Sequence, residues 1–242
     1  MHRFCITPAQ VSGTTVTFTP AQAHQLRNVL RLRPGDEVRA FDGVRDRDMV
    51  VQLDAAFEGT LVGEMPNAPE PRTRLDVYPA LLQRHKFEPV LQKLTEVGVS
   101  SVTPVFTARG LVRDAPDERR CVRWRAILTE AAEQCGRGRV PRLRAAQPLT
   151  EALQSAHGLK LLAYEAEHHT QLRDALAAKP ATVSIFVGPE GGFTPEEIRC
   201  ARDLGARVIT LGPRILRTET ASPVLAALVL YELGDLSWPP ES

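Results

Sequence analysis

The sequence predicts an α/β protein, with a small β-rich N-terminal domain followed by a mostly parallel sheet covered by helices. Three observations predict it. Short β-like runs separated by turn signals fill the first 70 residues. A proline cluster then breaks both helix and strand patterns at Met65-Pro66-Asn67-Ala68-Pro69-Glu70-Pro71. Beyond it, strand patterns alternate with helical ones, the signature of parallel strands joined by helical crossovers.

In the N-terminal part, residues 14–18, 37–41 and 49–53 alternate like strands. They are separated by turns such as Pro34-Gly35-Asp36 and Asp42-Gly43. One helix interrupts. Thr19 is its cap, Pro20 its first residue, and Gln22 completes a capping box. A small β-barrel over residues 1–70 is expected, then a linker across 65–74, then a second domain over 73–242. In that domain, residues 75–81 form a strand candidate. Residues 87–97 are an amphipathic helix ending at Gly98, and 99–106 return to strand. A longer helix covers 119–135 and stops at Gly136. Strands at 159–164, 182–187 and 208–211 alternate with helices at 195–204 and 223–233.

Composition excludes several classes. The 242 residues are 43% hydrophobic and 24% charged, which is ordinary for a globular chain and unlike collagen or a disordered tail. The four cysteines are scattered without a CxxC pair, so no zinc ribbon or redox motif is expected and no metal site is assigned. Met1-His2-Arg3-Phe4 opens without an apolar stretch, and the longest apolar run, near Val224 to Leu230, is too short to span a bilayer. A cytoplasmic protein without membrane contact is expected.

The formal net charge of +1 hides an asymmetry. Residues 1–150 carry a net +5 and residues 151–242 a net −4. Residues 119–144 hold eight arginines against Glu130 and Glu133. This stretch is either a solvated helix face or a patch that contacts phosphates.

Two glycine-bearing loops come directly after strands. The first is Gly188-Pro189-Glu190-Gly191-Gly192-Phe193. Thr194, Pro195 and Glu197 then open a helix with a second capping box. The second is Leu211-Gly212-Pro213-Arg214-Ile215-Leu216, continuing through Arg217-Thr218-Glu219-Thr220-Ala221. Each could be a plain tight turn. Both, however, leave the carboxyl ends of strands, where open α/β sheets bind ligands. Neither is GxGxxG or GxxxxGK[ST], which disfavours a dinucleotide or a P-loop nucleotide. Rigid backbone donors and acceptors in such loops suit an adenine-like edge.

These two loops resemble those of the ribosomal RNA small subunit methyltransferase E family of the SPOUT superfamily. Further segments are similar to the family's pattern: Lys86 through Lys93-Leu94-Thr95-Glu96-Val97-Gly98-Val99, Glu133-Gln134-Cys135-Gly136-Arg137 with Val140-Pro141, and His24 through Val29-Leu30-Arg31-Leu32-Arg33-Pro34-Gly35-Asp36. Val97 stands where the family usually has leucine. The resemblance spans nearly the whole chain. It implies a trefoil-knotted SPOUT domain, a PUA-like barrel that helps bind RNA, and a homodimer. It also implies S-adenosyl-L-methionine as cofactor, 16S ribosomal RNA or the small ribosomal subunit as partner, and uridine N3 as the methylated atom. That would place the protein in ribosome biogenesis.

On that basis Gly188, Pro189, Gly191, Gly192, Leu211, Gly212, Arg214, Ile215, Leu216 and Thr220 are expected to hold the cofactor. Methyl transfer to uracil N3 is a one-step displacement that needs no metal but must remove the N3 proton. Glu190 and Glu219 are candidate general bases. Arg217 could instead stabilise the uracil anion as charge forms on its oxygens. In the alternative reading, Glu219 caps the next helix and Arg217 pairs with it. Arg3, Arg31, Arg33, Lys86, Arg137 and Arg139 are the candidate RNA contacts. Other functions remain open: ribose 2′-O or transfer-RNA base methylation by a SPOUT enzyme, or non-catalytic RNA binding in assembly.

Overall fold

The computed structural model describes residues 1–237. Residues 238–242, the end of the expected 73–242 domain, lie outside the described residues. The chain forms two compact units. The first comprises Met1–Glu70 and Ala132–Val140. The second comprises Pro71–Ala131 and the chain from Pro141 onward.

The first unit is a six-stranded sheet. Its strands are β1 (Arg3–Cys5), β2 (Val11–Ser12), β3 (Thr15–Val16), β4 (Glu37–Phe41), β5 (Arg47–Leu53) and β6 (Gly59–Pro66), in spatial order β1-β4-β5-β6-β3-β2. All neighbours are antiparallel except β1 with β4. Alternate side chains fill one core, including Phe4, Phe18, Val38, Met49 and Val51. The helix α1 (Pro20–His24) begins as its sequence demands. Gln22 N–H donates to Thr19 Oγ1 while the Gln22 carboxamide oxygen accepts the Thr19 N–H. It continues as a wider π-turn over Gln25–Val29.

Two expectations change here. The linker expected at 65–74 begins later, because Met65 and Pro66 close β6. A proline can end a strand, since its missing N–H costs nothing there. The segment 132–140, expected within the 73–242 domain, belongs to the first unit. The reason is a set of buried polar ties. The Arg3 guanidinium donates to both Asp48 oxygens at 2.6 and 2.7 Å, and to the Ala132 and Arg137 carbonyls at 3.0 Å each. Arg137 in turn forks onto Glu70, with Nη2 at 2.7 Å. Glu70 Oε1 also accepts the Arg139 backbone N–H.

The second unit is α/β with an all-parallel six-stranded sheet. Its elements are β7 (Arg74–Pro79), α2 (Arg84–Val97), β8 (Ser101–Val102), β9 (Val105–Phe106), α3 (Glu118–Cys135, its last turn in the first unit), β10 (Arg142–Leu143), β11 (Gln147–Pro148) and α4 (Leu149–Ser155). Next in the chain are β12 (Leu159–Ala163), α5 (Leu172–Ala175), β13 (Thr182–Val187), α6 (Pro195–Asp203), β14 (Arg207–Ile209) and α7 (Thr218–Glu232). The main sheet runs β10-β8-β7-β13-β12-β14, while β9 and β11 pair separately. The strand expected at 99–106 is split by Pro104, which cannot donate to a ladder. Buried β13 reads Thr-Val-Ser-Ile-Phe-Val, the near-continuous apolar run of a strand covered on both faces. Phe186 on it stacks on Tyr78 with ring centroids 4.5 Å apart. Gly98 ends α2 in the left-handed conformation at φ 114°, as its place after Val97 requires.

Strand register aligns one end of this sheet. Ala163 of β12 lies opposite Val187 of β13 on one side and Ile209 of β14 on the other. The carboxyl ends of three adjacent strands therefore stand in one row.

Candidate active site

Above that row lies a cleft of about 660 Å³, within the roughly 300–1,000 Å³ typical of sites for small molecules. Both glycine loops line it, with Lys86 from α2, the start of α7, and the turn after β12. Of the sequence-predicted cofactor residues, Gly188, Pro189, Gly191, Gly192, Leu211, Gly212, Arg214, Ile215 and Leu216 all line the cleft. Thr220 does not. It sits exposed on the outer side of α7, and the buried Thr218 takes the wall position instead.

The loops are shaped by local chemistry. Gly212 has φ +97° and Gly192 φ +67°, backbone angles that other residues rarely adopt. Gly212 N–H donates to Thr210 Oγ1, and Gly192 N–H to the Pro189 carbonyl. Thr194 caps α6, with Glu197 N–H donating to its hydroxyl. Glu197 also accepts the Ala108 N–H at 2.7 Å. Arg109 Nη1 donates to the Gly191 carbonyl at 3.1 Å. The first loop is thus fastened at both ends and braced from the segment after β9.

All three candidate catalytic side chains line the cleft. Glu190 Oε1 accepts from Lys86 Nζ at 2.7 Å. Burial pushes the Glu190 carboxyl up, but the Lys86 hydrogen bond, the loop's own N–H and the Lys86 charge outweigh it and hold the group below the ordinary carboxylate value. The same hydrogen bond raises the Lys86 ammonium. Lys86, expected on RNA, is therefore a cleft residue engaged with a carboxylate. Arg217 is open to solvent and only grazes Glu219, at 4.0 Å. It occupies the cap position of α7 without a side-chain cap bond, and Glu219 lies in that helix's first turn. Glu219 Oε2 is buried and has no hydrogen-bond partner among the described residues. An orphaned buried acceptor costs free energy unless a donor arrives, so the wall is suited to a bound donor.

The turn after β12 carries no glycine and so gave no loop signal of that kind. Tyr164, Glu165 and His168 nevertheless line the cleft. Glu167 shapes the turn by accepting the N–H groups of His169 and Thr170, which hold its carboxyl below the ordinary value. The expected strand at 159–164 marked only that a loop follows it; that its carboxyl end joins the same row comes from the pairing of β12 with β13 and β14. No group of three or more metal-ligating side chains occurs among the described residues, so His168 and His169 do not form part of one. No described helix is long and apolar enough to cross a membrane. Phe193 and Trp124 are buried in the core.

Two of the six candidate RNA contacts, Arg3 and Arg137, are buried in ion pairs, with side chains only 6% and 9% exposed. A phosphate could take either one only by breaking a buried ion pair. Arg31 and Arg33 are exposed, and the exposed Arg139 side chain stands 3.6 Å from Asp46.

Comparison with known proteins agrees with this architecture. The RNA methyltransferase domain family model matches residues 69–230. The Ribosomal RNA small subunit methyltransferase E of Synechocystis sp. is 35% identical, over 94% of this chain and 77% of its own length. The Bacillus subtilis protein of the same name is 30% identical, over 96% and 97%. Among solved structures, Ribosomal RNA small subunit methyltransferase E from Neisseria gonorrhoeae, bound to S-adenosyl methionine, aligns with a TM-score of 0.89 at 30% identity, covering 98% of this chain and all of that one. A putative methyltransferase from Legionella pneumophila, in complex with the same cofactor, aligns with a TM-score of 0.84 at 28% identity, over 95% and 96%.

Proposed function

This chain belongs to the ribosomal RNA small subunit methyltransferase E family, and from that premise we propose that it methylates N3 of a uridine in 16S ribosomal RNA, using S-adenosyl-L-methionine. The observation that carries the reading is the cleft itself, in which both glycine loops, Arg217 and a carboxylate with an orphaned oxygen meet above one row of strand ends. When bound, the cofactor supplies a methyl group already activated by its sulfonium. The loops 188–192 and 211–216 would hold it through backbone N–H and C=O groups.

The chain's own side chains then divide the work. Arg217, permanently charged and with five donors, would sit against the uracil oxygens and stabilise the negative charge left when the N3 proton departs. Glu219 would accept that proton, directly or through one water. Glu190 is the weaker base, because Lys86 holds its carboxyl low. Its charge, kept by that pairing, suits a cationic ligand.

The finer architecture belongs to the same proposal. Residues 73–242 would form a trefoil-knotted SPOUT domain, and residues 1–70 a PUA-like RNA-binding barrel, for which the six-stranded first unit is support. The enzyme would act as a homodimer in the cytoplasm, with Arg31, Arg33 and Arg139 on RNA phosphates. Incubating the full chain and labelled S-adenosyl-L-methionine with purified small ribosomal subunits, and separately with free 16S RNA, tests the activity. Label in 16S RNA from either substrate supports it. No label from either, with the cofactor shown to bind, would leave a non-catalytic RNA-binding role.

A further inference from the structure

The strand order β13-β12-β14 puts β12 between the two strands that feed the glycine loops. Its end, Ala163, is in register with both neighbours' ends. The chain leaves it as a fixed turn, with Glu167 N–H donating to the Tyr164 carbonyl and Tyr164 N–H to the Ile209 carbonyl. Glu165 occupies that turn, exposed and lining the cleft.

Among the described residues three carboxylates line this cleft, and two have a cation. Glu190 pairs with Lys86 at 2.7 Å, and Glu219 reaches Arg217 at 4.0 Å. Glu165 has neither an ion pair nor a side-chain hydrogen bond among the described residues. Its carboxylate lies against Gly192. A side chain at 192 would begin inside it, since a Cβ there would overlap Glu165 Oε1. The Glu165 carboxylate thus rests beside the glycine loop at the cleft wall.

An ionised carboxylate only accepts hydrogen bonds, and it offers two oxygens side by side. The matching ligand feature is a pair of donors at the same spacing, such as hydroxyls on adjacent carbons. Acidic side chains near glycine-loop nucleotide sites in open α/β sheets take ribose hydroxyls in this way. We infer that Glu165 is a recognition residue of the cleft that binds the 2′- and 3′-hydroxyls of the ribose on the methyl donor. This rests on the reading of the cleft as the cofactor site and adds to it a residue from a third loop.

A ribose 2′-hydroxyl also occurs in RNA, so the test is done without RNA. Titration calorimetry measures S-adenosyl-homocysteine and its 2′-deoxy and 3′-deoxy analogues against the full-length protein, Glu165→Ala and Glu165→Gln. The wild type should bind the parent compound at least about tenfold more tightly than either analogue, the value of one hydrogen bond to a charged group. Both variants should bind the parent compound correspondingly more weakly and lose the preference. Their melting temperatures should match the wild type's, because the side chain is exposed and unpaired. Variants that bind like the wild type, or keep the preference, overturn the inference while leaving the cofactor site intact. In a control titration repeated with RNA present, an effect of the substitutions that appears only there overturns it too, by moving the carboxylate to the RNA ribose. Failure of the wild type to bind the parent compound at all would instead remove the reading of the cleft.

Discussion

Lys86 Nζ stands 2.7 Å from Glu190 Oε1, and that ion pair ties the first turn of α2 to the glycine loop that leaves β13. Both groups keep their charge across a wide range. The depressed Glu190 pKa means its contribution is present above the ordinary carboxylate value and is lost as pH falls through the depressed one. The raised Lys86 pKa means its contribution is lost only as pH climbs through the raised value. The pair's contribution to cofactor affinity should therefore be constant from about pH 5 to about pH 9. Lys86→Met removes the largest of the influences that oppose burial of Glu190, so the acid limb of affinity should move to higher pH. Calorimetry at a series of pH values reads this, and an unmoved limb would contradict the pairing's role.

Arg217 is expected to act in the chemical step. Its guanidinium is exposed at the cleft and only 4.0 Å from its nearest carboxylate, so it is available to substrate. Single-turnover methylation by Arg217→Ala at saturating cofactor and RNA should slow by roughly 10²–10³, the loss typical of one donor to developing charge. Cofactor affinity should change little. An unchanged rate with bound RNA would remove Arg217 from the mechanism.

Arg137 and Arg139 stand two residues apart and should behave oppositely. Arg137→Ala leaves Glu70 partly buried without its forked partner, which should cost about 3–5 kcal/mol of stability, the usual result of breaking a buried pair. Arg139→Ala should leave the melting temperature alone. It should instead lower the slope of log affinity for RNA against log salt by about 1. Thermal melts and filter binding at several salt concentrations separate the two. A normal melt for Arg137→Ala would return that residue to the RNA-contact set.

Asp235 should be a stability residue of the second unit. Its nearly buried carboxylate accepts the backbone N–H groups of Arg72 and Thr73 at 3.1 and 3.0 Å. Burial pushes its pKa up, but hydrogen bonds from Thr73 and Arg72 outweigh this and hold it below 3.8. Asp235→Asn should cost about 1.5–3 kcal/mol at pH 7. Because the wild-type group's contribution fades as pH falls through its depressed value, the deficit should shrink in acid. Urea melts at pH 7 and pH 3 measure it; equal deficits at both would contradict the assignment.

How much of the molecule is legible in its sequence depends on how local each signal is. The capping boxes at Thr19 and Thr194 need only residues three apart, and both formed as read. The glycine loops were legible because each follows a short apolar run read as a strand, and the structure has β13 and β14 there. Glu165 was not, because its place depends on Ala163 lying opposite both Val187 and Ile209, a pairing of strands out of chain order. The pairing of individual arginines was hidden for the same reason. Counting charge along the chain cannot show that Arg3 meets Asp48, 45 residues away, or that Arg137 meets Glu70, 67 residues away. The helix α4 gave no strong periodic signal over its seven residues.

The most direct test of the proposed activity is the identity of the product. Small ribosomal subunits from cells lacking this activity would be treated with the protein and S-adenosyl-L-methionine, and their 16S RNA digested to nucleosides for mass spectrometry. The expected result is new 3-methyluridine that disappears with Arg217→Ala. A 2′-O-methylated nucleoside, or methylation of another base, would contradict the assignment to uridine N3.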